Sequence, residues 1–240
     1  MSEAFSIERR KLMRFLGAKV ILTNPAHKAT GMVIKAQELA EKHGYFYPNQ
    51  FENEANAWIH EHTTGPEIVR AFEGMKLDHL VTAYGTGGNV LGMSRCIRKE
   101  LPDMKIHLCE PSNAPMLYSE IPTTYPAEGE GPSTQFEVAH PIWRPHLFQG
   151  WAADFIPKLV TKAQNEIGPI LCHPAGQDGI STSRELAIKE GIFTGTSGKH
   201  GDLVKYCRLF SSRLILRLVA FRFNLFYRRR DSLSRLENCT

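Results

Sequence analysis

The spacing of apolar positions sorts the chain into helical and extended stretches. Over residues 6–16, Ile7, Leu12, Phe15 and Leu16 share one broad helical face, with Ser6 able to cap the start and Gly17 to stop it. Lys19-Val20-Ile21-Leu22-Thr23 is a β-rich run that predicts a short strand. From Thr30 to about His43, Met32, Ala36, Leu39 and Ala40 form a helical stripe that ends at Gly44. A helix is expected over Glu54–His62. Thr63-Thr64-Gly65-Pro66-Glu67 then reads as a turn feeding another helix, with Pro and Glu suited to a first turn. Next come a strand at His79–Ala83, a helix from about Asn89 to Lys99 and a strand at Lys105–Cys109. Residues 119–150 are irregular, and a helix runs from about Asp178 to Glu190, stopped by Gly191. Strand, helix and strand with short connections predict an α/β fold with a parallel sheet.

Composition changes this picture little. With 240 residues, 42% hydrophobic and 22% charged, the chain suits one large globular domain or two small ones. No 18-residue stretch is both apolar and uncharged, so no membrane span is expected. The first ten residues lack the apolar core of a signal peptide, which makes the cytoplasm the expected compartment, or an organelle if a transit segment precedes them. Charge changes more. Residues 199–240 hold ten basic and three acidic residues, net +7, and leave the first 198 residues at −3. That shift places a boundary near Gly198, and the overall basicity, which belongs to the tail, says nothing about the partners of the main body, for which nucleic acid is not expected.

The five cysteines, at 96, 109, 172, 207 and 239, form no CxxC pair and no zinc spacing, and read as reduced packing thiols. His60 and His62 are two apart and do not share a helical face, so no metal site is expected.

The sharpest chemical feature is Gly85-Thr86-Gly87-Gly88-Asn89 between a strand and a helix. Glycines let a backbone approach an anion closely, and the helix start offers unpaired N–H groups and partial positive charge. A phosphate is the natural ligand, with the Thr86 hydroxyl as a further donor. The loop is neither a Walker loop nor a GxGxxG fingerprint, since position 90 is Val. A tight turn that binds nothing is the competing reading.

Several further segments resemble one family. Ile7-Glu8-Arg9-Arg10, Gln50-Phe51-Glu52-Asn53-Glu54-Ala55-Asn56 with His60, Thr63–Ile68, the glycine loop, Arg144–Gly150 and Glu190–Gly198 are similar, in order, to cysteine synthase (O-acetylserine sulfhydrylase). The likeness covers roughly residues 5–198. It implies an incomplete type II pyridoxal-phosphate fold, tryptophan synthase β-like, with a parallel sheet flanked by helices. Residues 1–50 would be a fragment of the small α/β domain, 51–198 the large cofactor-binding domain, and 199–240 a basic tail outside the family.

The resemblance also implies roles. Gly85, Thr86, Gly87, Gly88 and Asn89 would hold the phosphate of pyridoxal 5'-phosphate, and Ser197 would bond its pyridine nitrogen. A hydroxyl there keeps the ring a weaker electron sink than a carboxylate would, which favours β-elimination over transamination. Gln50 would lie near the substrate carboxylate, and Gly150-Trp151-Ala152 would line the pocket.

The family's Schiff-base lysine segment and its Thr-Ser-Gly-Asn-Thr-Gly type loop do not occur in this chain, and Asn89 stands where the family more often has Thr. Without that lysine the chain lacks the covalent anchor and the matched base. The expectation is therefore a truncated cysteine synthase-like chain, inactive as it stands and able to bind the cofactor weakly. Its parent reaction is β-replacement on O-acetylserine with sulfide, in a homodimer when complete. Cystathionine β-synthase is the enzymatic alternative. A non-catalytic module is another, with residues 203–230 as a basic amphipathic helix on an anionic membrane or nucleic acid.

Overall fold

The computed structural model describes residues 1–125, 139–191 and 219–220. Its elements are α1 (Ile7–Phe15), α2 (Lys28–His43), α3 (Glu54–Ile59), α4 (Gly65–Ala71), β1 (His79–Ala83), α5 (Gly88–Glu100), β2 (Lys105–Cys109), α6 (Lys158–Ile167), β3 (Ile170–Cys172), α7 (Gly176–Glu190) and β4 (Val219–Ala220). The four strands form one parallel sheet in the order β3-β2-β1-β4.

Parallel strands need helical crossovers, and α5 makes the one from β1 to β2. Its Met93 and Ile97 pack with Leu80 of β1, Ile106 of β2 and Ile68 of α4. A second cluster joins Val81, Leu108, Val90 and Leu91 to Phe148, Trp151, Leu159 and Val160. At Gly92 the helix runs backbone to backbone against α3, since a Cβ there would stand 2.0 Å from the Ala57 carbonyl oxygen.

The structure departs from the sequence expectations in four places. First, residues 19–23 form no strand. Among the described residues, Thr23 bridges Ser2, and the run otherwise pairs with no strand. Second, the turn expected at Thr63–Glu67 is helical. A π-turn at His60–Thr64 carries α3 into α4, with His60 Nδ1 and Thr64 Oγ1 2.9 Å apart. Third, α6 and β3 had no sequence assignment. α6 starts after Pro157, buries Leu159, Val160 and Ala163, and ends on Gly168 in the left-handed region. β3 has three residues, too few to show a period. Fourth, the alternative reading of 203–230 as a basic helix fails at Val219–Ala220, which is extended and pairs with Leu80–Val81, supplying partners to the open edge of β1. The rest of that tail lies outside the described residues.

The N-terminal helices meet the body at Asp154. Its Oδ1 accepts from Ala29 N (2.9 Å) and Thr30 N (3.0 Å), and its Oδ2 accepts from Thr30 Oγ1 (2.8 Å). A buried carboxylate thus satisfies the orphan donors of the α2 start and faces its positive end.

Candidate functional site

In a parallel sheet with helical crossovers, the loops after successive strands leave from one edge, and ligands bind in the crevice there. Three adjacent strands end together: the residues following β1, β2 and β3 are Tyr84, Glu110 and His173. Their side chains meet. Tyr84 Oη donates to Glu110 Oε2 at 3.1 Å, and His173 Nε2 lies 3.1 Å from Glu110 Oε1. The amides of Leu117 and Tyr118 also donate to this carboxylate, at 2.9 and 3.0 Å. Glu110 is fully buried, and this ring of partners satisfies it there. Burial and the facing carboxylate push the Tyr84 phenol well above its usual range, so it stays protonated and keeps donating.

The glycine loop leaves β1 from this anchor. Gly87 sits at φ +94°, and α5 begins at Gly88 with no side chain capping its amides. The first-turn N–H groups of α5 are therefore orphan donors beside the loop. Asn56, on α3, orients the loop hydroxyl: its Nδ2 donates to Thr86 Oγ1 at 2.9 Å and to the Gln50 carbonyl at 2.6 Å. Thr86 accepts from Asn56 and so keeps its own proton for an outside acceptor.

Part of the glycine requirement is internal to the protein. A Cβ at Gly87 would meet Val160 N and Cγ2 at 2.7 Å, and one at Gly88 would meet the Asn56 amide at 2.1 Å. These two glycines let α6 and α3 close on the loop.

The other expected site residues fall into place unevenly. Gln50 is exposed, and its backbone reaches the loop through Asn56. Asn89 is the second residue of α5, with its Oδ1 3.4 Å from Thr82 Oγ1. Gly150 belongs to a turn that docks on the loop's root: two residues on, Ala152 N donates to the Tyr84 carbonyl at 2.9 Å. The Ala152 carbonyl in turn accepts from Trp143 Nε1 and faces His146 Nε2, both at 3.1 Å. Burial lowers the His146 pKa, which favours the neutral ring. Ser197 lies outside the described residues. Among the described residues, no group of three His, Cys, Asp or Glu side chains is placed to hold a metal ion, and no helix is long and apolar enough to cross a membrane.

Sequence reasoning overlooked the Tyr84–Glu110–His173 network and the role of Asn56. A signal was present. Cys109-Glu110-Pro111 and Cys172-His173-Pro174 are two copies of one pattern, a cysteine, an ionisable residue and a proline, each closing a strand.

A family model described as pyridoxal-phosphate dependent enzyme matches residues 1–201. A cysteine synthase of Staphylococcus aureus is 36% identical over 197 residues, which is 82% of this chain and 56% of that protein. An O-ureido-L-serine synthase of Streptomyces lavendulae is 38% identical over 198 residues, 82% of this chain and 53% of that protein. Among solved structures, an O-acetylserine-dependent cystathionine beta-synthase from Helicobacter pylori aligns with a TM-score of 0.69 at 28% identity, covering 87% of this chain and 61% of that one. The chain spans about half the length of the curated relatives it matches.

Proposed function

Because the chain belongs to the family of pyridoxal-phosphate-dependent enzymes, we propose that the Gly85–Asn89 loop is its cofactor-phosphate site and that the reaction it serves is β-replacement on an O-activated serine such as O-acetylserine, with sulfide as nucleophile. The observation that carries this reading is the uncapped start of α5 beside a hydroxyl already oriented by Asn56. These residues fit a phosphate: first-turn amides supply fixed donors and partial positive charge, and Thr86 supplies one more proton. When bound, the cofactor supplies an electron sink for the substrate's α-carbon.

The chain's own residues bind and orient. Gly87 and Gly88 bring the loop under α6 and α3, and Tyr84 ties its root to Glu110. Gln50 and the Gly150 turn are the residues proposed to meet the substrate carboxylate, and Ser197 is the partner proposed for the ring nitrogen. Lys35, Lys76, Lys99, Lys158, Lys162 and Lys189 are each paired with a carboxylate. The family's Schiff-base lysine segment does not occur in this sequence, and on that ground we read this chain as holding the cofactor without a covalent link and without turnover, in a fold whose complete form acts as a homodimer.

Titration of the chain with pyridoxal 5'-phosphate, followed by tryptophan fluorescence and by the thermal midpoint, tests the site. Saturable binding that weakens in Thr86→Ala and Asn56→Ala is expected, and binding unaffected by both variants would refute it. Borohydride reduction and peptide mapping test the anchor, and a reduced pyridoxyl-lysine at one unique position would overturn the non-covalent reading. On a form of the protein that also carries the family's lysine segment, assays with O-acetylserine plus sulfide, against O-acetylserine plus homocysteine, separate the sulfhydrylase reading from the cystathionine synthase one that the Helicobacter relative keeps open.

A further inference from the structure

Cys109 and Cys172 end neighbouring parallel strands and are register partners. Partners in a parallel pair point to the same face, with strands about 4.8 Å apart, inside the Cα range of a disulfide. Both residues are buried, and their paired register sets the two side chains next to each other at the ends of β2 and β3. His107, two residues before Cys109 and on the same face, places Nδ1 3.8 Å from Cys172 Sγ. Its other nitrogen lies 2.9 Å from Nδ1 of the half-buried His79. Four groups are thus linked on one face of the sheet: Cys172 of β3 lies against Cys109 and His107 of β2, and His107 reaches the half-buried His79 of β1.

This linked set can take up the Cys172 proton. His107 Nδ1 receives it, Nε2 of the same ring passes one to His79 Nδ1, and His79 returns one to water. Burial and the neighbouring His107 lower the His79 pKa, so the proton is not retained there. The groups facing Cys172 are Cys109 and His107 from β2 and His173 beside it. Cys109 comes first in drawing its thiol below the ordinary value, His107 and His173 add to this, and burial opposes it. Cys96, by contrast, is pushed up by burial on α5, which favours the inert thiol.

The geometry points to Cys109 and Cys172 as a redox-active dithiol that a hydroperoxide converts to a disulfide. The Cys172 thiolate attacks one peroxide oxygen. The O–O bond breaks, a sulfenic acid forms, and the leaving hydroxide takes a proton to become water. The Cys109 sulfur then attacks the Cys172 sulfur and gives up its proton as the S–O bond breaks, releasing a second water. Two thiols lose two electrons and one hydrogen peroxide becomes two waters. β3 is a three-residue edge strand, so its end can move to close the bond.

The residues following the two cysteines are Glu110 and His173, which hold Tyr84 at the root of the glycine loop. Closing the pair therefore disturbs the phosphate loop. That consequence rests on the function proposed above, whereas the disulfide itself does not.

The test uses the full chain treated with hydrogen peroxide, then protease digestion and mass mapping. A single reversible link between the peptides of Cys109 and Cys172, lighter by two hydrogen atoms and removed by dithiothreitol, is expected. Cys109→Ser should stop at a Cys172 sulfenic acid captured by a dimedone probe. In a pH series of iodoacetamide alkylation, the midpoint at Cys172 should lie below the ordinary thiol value and rise in His107→Gln. Circular dichroism checks that each variant folds. Oxidation of other cysteines while this pair stays reduced, over-oxidation of Cys172 without a link, or a midpoint unmoved in a folded His107→Gln would overturn the assignment. Weaker pyridoxal 5'-phosphate binding after oxidation is the expected coupling. A clean disulfide with unchanged binding would reject the coupling alone.

Discussion

Helices α1 and α5 both show an amphipathic pattern, and they meet opposite fates. None of α1's nine residues is buried, and Phe15 and Leu16 are 86% and 74% exposed. α5 buries eight of thirteen residues, among them Leu91, Met93 and Ile97. α5 is enclosed on several sides: the sheet packs on Met93 and Ile97, α3 lies against Gly92, and α6 is tied to it by Arg95. α1 is held by the chain next to it, where Arg10 donates to the carbonyls of Glu3 and Phe5. Periodicity says which face of a helix is apolar. Only the surrounding elements decide whether that face is covered.

The largest effects should come from α5. Gly92→Val forces a branched side chain onto the Ala57 carbonyl and should cost about 3 kcal/mol or more. Leu91→Ala leaves a cavity and should cost about 2–5 kcal/mol. Phe15→Ala on α1 should change stability by less than about 0.5 kcal/mol. Urea midpoints measure all three. A loss at Phe15 equal to that at Leu91 would end the contrast between the helices.

Asp154 sharpens the comparison, because α2 lies between the two extremes. It buries only Thr30 and Val33, yet its start is fixed by a carboxylate 124 residues away in sequence. Asp154→Ala removes three hydrogen bonds to a charged group and should cost about 2–3 kcal/mol. Amide exchange should speed up mainly in the first turn of α2. Uniform acceleration across β1 and α5 would show that the cap serves the whole fold instead.

The same contrast explains what could be read from sequence. β1, β2 and the helix between them were visible because their apolar residues are buried among neighbours near in sequence, so local period and tertiary environment agree. The run Lys19–Thr23 carries equal β propensity, but among the described residues it makes a single isolated bridge, Thr23 to Ser2, and propensity without a paired strand makes no strand. The glycine loop stood out because its residues are contiguous. Asn56, Glu110 and His173 did not, because the side chains that position that loop come from three distant segments and meet only once the strands align.

Tyr84→Phe tests that hidden layer. It keeps the ring and removes one donor from a buried carboxylate, which should cost about 1–3 kcal/mol. Pyridoxal 5'-phosphate affinity should fall by more than the lost stability alone explains, measured where the variant remains folded. Unchanged affinity would make Tyr84 a core residue and nothing more.

A small, pH-dependent effect is expected on the solvent side of α5. Arg95 bonds Glu166 on α6 at 2.8 and 2.9 Å and Glu54 on α3 at 3.0 Å. It holds both carboxyls below their ordinary value, with Lys162 adding to the effect. Glu54 and Glu166 are 46% and 35% exposed, so solvent screens the cluster and its worth is about 1 kcal/mol or less. A carboxyl with a lower pKa in the folded chain than in the unfolded one stabilises fully above the unfolded value, near 4.5, and loses that contribution as pH falls through the folded value. The difference in urea midpoint between the parent and Arg95→Gln should therefore be present at pH 6, shrink towards pH 3, and shrink again in high salt. A difference that holds at both pH values and at every salt concentration would mean that the Arg95 stem, by packing along α5, is what joins this helix to its neighbours.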